Sequence, residues 1–223
     1  MFTERRERKL SPENLSEFQE LMAFDLWEHQ AITFRSVRLS HQKEGDQDSP
    51  VYINIRTIVR RNLHMRSLIT EAFQELLKPV KPSLIGEIPF AIQPVTEQLS
   101  DKLHLGLLTP VSQTKDHGLG DSEMGLKKGD QRRKVVIIDD VLTFGGSIKK
   151  VAEIFRIQGL NVHDAAVLVD REQGGTEFLE QMGIRVHSFL KLTNMLDFYL
   201  RKHFIQPETS ALVKDYLSRH KAI

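Results

Sequence analysis

The 223-residue chain contains no cysteine. That excludes a disulfide framework, a thiolate metal site and a thiol nucleophile, and it fits a cytoplasmic setting. Neither sign of charge is in excess. The 31 Lys and Arg against 30 Asp and Glu leave a formal net charge of +1, which argues against a general nucleic-acid surface. No apolar run reaches membrane-spanning length, so no membrane partner is expected. The N-terminus MFTERRERKL has charge but no apolar signal core, and its basic run reads as a solvated helix face or tail. Nine histidines show no H-E-x-x-H or similar ligand spacing, so no protein-bound metal is expected. Neither G-x-x-x-x-G-K-[ST] nor G-x-G-x-x-G occurs, which removes the Walker-type and dinucleotide loops. What remains is an ordinary globular composition, 40% hydrophobic and 27% charged, in a chain long enough for one domain with a sizeable core.

The order of patterns predicts an α/β fold. Ser11-Pro12-Glu13 reads as a helix start, with Leu15, Phe18, Leu21, Met22 and Leu26 following at helical spacing. Short strand patterns at 33–39 and 51–55 flank HQKEGDQDSP, a hairpin loop by composition, and one helix is expected from Arg56 to Lys78. Thereafter apolar strands at 83–88, 105–111, 134–139, 163–169 and 184–190 alternate with helical segments, and two helices close the chain. Continuous apolar strands between helices argue for a Rossmann-like parallel sheet covered on both faces. The N-terminal helix and short strands form a hood of about residues 1–60, completed by the C-terminal part. The core is expected at about 80–190, and the polar stretch 112–133 is the length of a flexible lid.

The most informative stretch is VVIIDDVLTFGGSIKK, residues 135–150. In an open parallel sheet, ligands bind beyond the C-terminal strand ends, where Asp139, Asp140 and the Gly145-Gly146-Ser147 turn would sit. Glycine-freed N–H groups opening a helix make an anion site, to which Thr143 and Ser147 can add hydroxyls. Carboxylates beside it suit hydroxyls, a developing positive charge or a ligand-borne metal. A sugar phosphate satisfies both halves; the plainer alternative is a glycine turn next to solvated acids.

VVIIDDVLTFGGS resembles the phosphoribosyl-pyrophosphate signature of the type I phosphoribosyltransferases. With KDHG (115–118), VLVDREQGG (167–175) and SPVYINIR (49–56), the likeness narrows to the orotate phosphoribosyltransferases. It is greatest to the form found as the first half of eukaryotic UMP synthase, and it runs from about residue 20 to 200. The resemblance implies a single domain over residues 1–223 that transfers phosphoribosyl from phosphoribosyl pyrophosphate to orotate, giving orotidine monophosphate and pyrophosphate. It implies Mg²⁺ carried mainly by phosphoribosyl pyrophosphate, and a homodimer. Asp139 and Asp140 would hold the ribose hydroxyls and stabilise an oxocarbenium-like transition state. Thr143, Phe144, Gly145, Gly146 and Ser147 would form the 5′-phosphate turn. Lys115 and His117 would close over the pyrophosphate of the neighbouring subunit's site. Arg171 would take the orotate carboxylate, and Tyr52 would lie near the pyrimidine ring.

Against the same family pattern, Glu87 replaces a glycine and Ile92 a small residue in the pyrophosphate loop. Val111 and Ser112 align with two lid cations, Ser40 aligns with a hood lysine, and Phe144 replaces a small residue in the phosphate turn. A carboxylate and a branched side chain facing a polyanion would repel and crowd it. These departures define an alternative: a weakly active or inactive homologue that keeps a nucleotide pocket and acts as a binding or regulatory dimer. Lys127 and Lys128 are other cations of the lid stretch available to compensate.

Overall fold

The computed structural model describes residues 15–38, 47–110 and 124–221. A five-stranded, wholly parallel sheet forms the core. Its strands are β3 (Leu84–Glu87), β4 (Gly106–Leu108), β5 (Lys134–Leu142), β6 (Asn161–Asp170) and β7 (Arg185–Lys191), in the spatial order β4-β3-β5-β6-β7. Val135–Ile138 of β5 and Ala165–Val169 of β6 are fully buried, the burial that a continuous apolar run predicts for central strands covered on both faces. Helices α4 (Gln93–Leu103), α5 (Gly146–Ile157) and α6 (Gly175–Gln181) make the crossovers. Phe155 of α5 lies so close to β3 that a Cβ on Gly86 would stand 2.3 Å from its ring, so glycine is required there.

The hood precedes this core. Helix α1 (Glu17–Glu28) is followed by the antiparallel pair β1 (Ile32–Thr33) and β2 (Tyr52–Ile53), with a further bridge between Val37 and Ser49. Ser16 caps α1: its hydroxyl accepts from Gln19 N, and the Gln19 side chain accepts from Ser16 N; the helix start expected at Ser11-Pro12-Glu13 lies outside the described residues. This reciprocal S-x-x-Q box satisfies two end donors at once, a stronger stop than Ser-Pro alone. The helix expected over 56–78 is two helices, α2 (Ile55–Arg61) and α3 (Leu63–Leu77). Asn62 breaks it by taking an extended conformation (φ −114°, ψ 106°), from which its Oδ1 accepts from Met65 N and caps α3.

The C-terminal helices α7 (Leu192–Arg201) and α8 (Pro207–Arg219) return to the hood. Tyr199 of α7 is buried and donates its hydroxyl to Ala23 O at 2.8 Å, while Trp27 stacks on Phe204 at 5.2 Å between centroids. Trp27 is therefore a packing residue between the hood and the C-terminal helices.

Of the stretch 112–133 expected to form a lid, residues 112–123 lie outside the described residues. Residues 124–133 are folded against the sheet: Met124 is buried and its carbonyl accepts from Thr109 N. Asp130 accepts from Lys127 N and Arg133 Nη1, and Arg133 Nη2 binds Ser83 O. Ser83 precedes β3, so this turn, with Lys127 and Lys128, lies toward the N-terminal end of the strands.

Candidate active site

Strand β5 continues to Leu142, three residues further than the apolar run indicates, so both aspartates sit inside the strand. The neighbouring β3 pairs with β5 only as far as Ile138. Beyond that point β5 is paired only with β6, and its carboxylates serve its own backbone: Asp139 Oδ1 accepts from Asp140 N at 2.8 Å, and Asp140 Oδ1 from Val141 N at 3.0 Å. Both residues are buried. Burial, reinforced by the charge of Asp140, pushes the Asp139 carboxyl well above the usual range, opposed only in part by Arg56.

The strand then turns through Thr143–Gly145 into α5. Gly145 holds φ +79°, and a Cβ there would also meet Leu179 at 3.0 Å, so the turn depends on glycine twice over. A Cβ on Gly146 would meet nothing within 4 Å, leaving that backbone open to a ligand. Gly175 N donates to Thr143 O and Arg171 N to Leu142 O, which stitches the turn to the loop after β6. A cleft of about 340 Å³ opens in front, lined by Arg56, Asp139, the 143–147 turn and Lys150. An anion there meets a helix N-terminus with its backbone donors, plus two cations.

Arg56 and Lys150 were not singled out in the sequence. Lys150 lies four residues after Gly146, one helical turn along α5, so its place beside the cleft was legible from spacing. Arg56 enters from α2 and grips Asp140 with two donors, Nε to Oδ2 at 2.9 Å and Nη2 to Oδ1 at 3.3 Å. Hydrogen bonding to Asp140 raises its pKa above the ordinary value, with burial opposing. The available signal was chemical: a buried diacid needs a counter-ion.

The other expected residues are divided. Thr143, Phe144, Gly145, Gly146 and Ser147 line the same cleft as Asp139. Arg171 does not. It is buried at the end of β6, where Nη2 donates to Ser49 Oγ of the hood at 3.0 Å and Nε has no hydrogen-bond partner. Burial lowers its pKa to about 10. Tyr52 is half-buried in β2 opposite Thr33, and it is not among the residues lining the cleft. Lys115 and His117 lie outside the described residues, as do Ser40, Val111 and Ser112. Glu87 and Ile92 point inward. Glu87 is buried, accepts from Thr96 Oγ1 at 2.8 Å, and also takes the hydroxyl of Thr109 and the amide of Gln93. Ile92 is 1% exposed at the start of α4.

No family model matches the chain. Orotate phosphoribosyltransferase of Methanopyrus kandleri is 34% identical over 172 residues, 77% of this chain and 88% of that protein. The chain belongs to the orotate phosphoribosyltransferase family. Bovine uridine 5′-monophosphate synthase is 31% identical over 197 residues; these make up 87% of this chain but only 40% of that relative's length. Leishmania donovani UMP synthase superimposes with a TM-score of 0.77 over 90% of this chain and 42% of its own, at 24% identity, which bears on fold alone. The type I phosphoribosyltransferase sheet expected from the sequence is thus the observed one. Among the described residues no helix is long and apolar enough to cross a membrane.

Proposed function

We propose that this member of the orotate phosphoribosyltransferase family transfers phosphoribosyl from phosphoribosyl pyrophosphate to orotate, releasing pyrophosphate and forming orotidine monophosphate for pyrimidine biosynthesis. The observation that carries the reading is one strand delivering Asp139 and a glycine anion turn into a single cleft, with Asp140 buried behind Arg56 at its edge. The 143–147 turn and the N-terminus of α5 would hold the 5′-phosphate. Asp139 and Asp140 would take the ribose hydroxyls, and their charge would stabilise the positive sugar ring as the bond to pyrophosphate lengthens. Arg171, buried with Nε unpaired, is the group for the orotate carboxylate, since a guanidinium fork matches a carboxylate and a dry setting strengthens the contact. Tyr52, on the hood strand that follows Ser49, would border the pyrimidine ring.

Glu87 and Ile92 are compatible with activity. A carboxylate held by Thr96, Thr109 and Gln93 presents its charge to those donors rather than to the pyrophosphate loop, and Ile92 fills the core. The loss of lid cations at Val111 and Ser112 leaves Lys115 and His117, which would close over the neighbouring subunit's site in a cytoplasmic homodimer. Lys127 and Lys128, toward the far end of the strands, are not substitutes.

Among the described residues no group of three or more His, Cys, Asp or Glu could hold a metal ion. Two carboxylates do suit Mg²⁺ arriving on a diphosphate, since that ion typically keeps waters and takes one or two carboxylates with substrate phosphates. The chemistry it supplies is charge neutralisation on the leaving pyrophosphate. Purified protein given Mg²⁺, phosphoribosyl pyrophosphate and orotate should produce orotidine monophosphate, read by chromatography. Absence of product at high enzyme concentration, with orotidine monophosphate still bound, would replace the transferase by the binding homologue.

A further inference from the structure

Asp140, one of the two carboxylates assigned to the ribose hydroxyls, is taken. Arg56 covers both its oxygens, and it is Arg56, not Asp140, that lines the cleft beside Asp139. The pair is asymmetric: the Arg56 side chain is 53% exposed and that of Asp140 5%. Only the arginine has room to leave. Leaving a buried carboxylate bare is unfavourable, so the guanidinium departs only when other donors replace its N–H groups. Ribose hydroxyls are such donors.

We propose that Arg56 is a positioning residue that changes partner, from Asp140 in the free protein to the diphosphate of a sugar diphosphate once the sugar hydroxyls claim Asp140. The inference rests on the phosphoribosyl-transfer reading and deepens it. The 143–147 turn accounts for one phosphate and leaves a second anionic group to be neutralised. A guanidinium released from Asp140 is already in the same cleft, and its fork suits phosphate oxygens. The other groups acting on it are Asp139 and Tyr52, while Glu87 is held inward by Thr96, Thr109 and Gln93. Exchange also makes the site selective. A sugar monophosphate must displace Arg56 without offering it a new partner, whereas a sugar diphosphate offers one.

The alternative is a fixed bridge that merely ties α2 to β5, and calorimetry on the full chain separates the two. With R56M, affinity for phosphoribosyl pyrophosphate should fall about tenfold or more, the scale of one charge-assisted contact. Affinity for ribose 5-phosphate should stay level or rise, because Asp140 is freed. R56K, which keeps the charge without the fork, should lose part of the diphosphate affinity alone, and it provides the test if R56M does not fold. Equal losses for both ligands, or no loss for either, would overturn the exchange. Wild-type protein that binds neither ligand would instead overturn the phosphoribosyl-transfer reading, and this inference with it.

Discussion

Two adjoining strand ends at the C-terminal edge of the sheet treat buried charge in opposite ways. At the end of β5, Asp139 lines a cleft with its carboxyl raised in pKa, and Asp140 is held by a half-exposed arginine. At the end of β3, the carboxylate of Glu87 is bound by donors from α4 and from Thr109, just after β4. The first strand end keeps an acid poorly solvated beside a cleft; the second satisfies its acid internally. An acid beside a polyanion site is therefore not a repulsive group until its orientation is known.

The sharpest way to break the contrast is to neutralise the acids on each side. Asp139→Asn together with Asp140→Asn should lower the transfer rate on the order of a thousandfold or more, since electrostatic groups aimed at developing charge are commonly worth about a hundred- to a thousandfold each. Steady-state kinetics with orotate checks this. Glu87→Leu should leave the KM for phosphoribosyl pyrophosphate little changed while costing about 1–3 kcal/mol of stability, because the Thr109 hydroxyl and the Gln93 amide lose their acceptor, while the Thr96 hydroxyl keeps Gln93 O. Urea denaturation reads that loss, and a markedly lower KM would show instead that Glu87 repels substrate.

The smallest effect is on pH dependence. Asp139 has its carboxyl raised in the folded protein, so folding favours its protonated form and stability falls as pH rises from the ordinary carboxylate range toward the folded value. Asp139→Asn should remove that decline and give a higher melting temperature than wild type at neutral pH. Thermal melts across pH measure it, and a parallel pair of curves would assign the decline elsewhere.

The sheet was legible because β5 and β6 are long apolar runs, a pattern with few other solutions in a chain punctuated by helices. The glycine turn was legible because a turn at φ +79° beside Leu179 admits little but glycine. Orientation was not. Glu87 and Ile92 occupy positions where either face was open to them; the inward course of Glu87 depends on Thr96 and Thr109, nine and twenty-two residues away in sequence, while Ile92 is buried in the core. Arg56 was hidden for the same reason: its partner Asp140 is 84 residues distant, and locally it is one cation at the start of a helix. Asn62 shows the limit for boundaries. An apolar period ran through it, but its own side chain offered the backbone a better local partner than continued helix.

Arg171 reaches from the sheet out to Ser49 of the hood, and Arg56 reaches from the hood side in to Asp140. The two layers are thus fastened by arginines pointing in opposite directions, like a pair of crossed laces. Sliding the hood off the sheet would stretch both, whereas a ligand that replaces one guanidinium at its partner undoes a single lace and leaves the other tied, beside the Gln19 amide on Phe189 O.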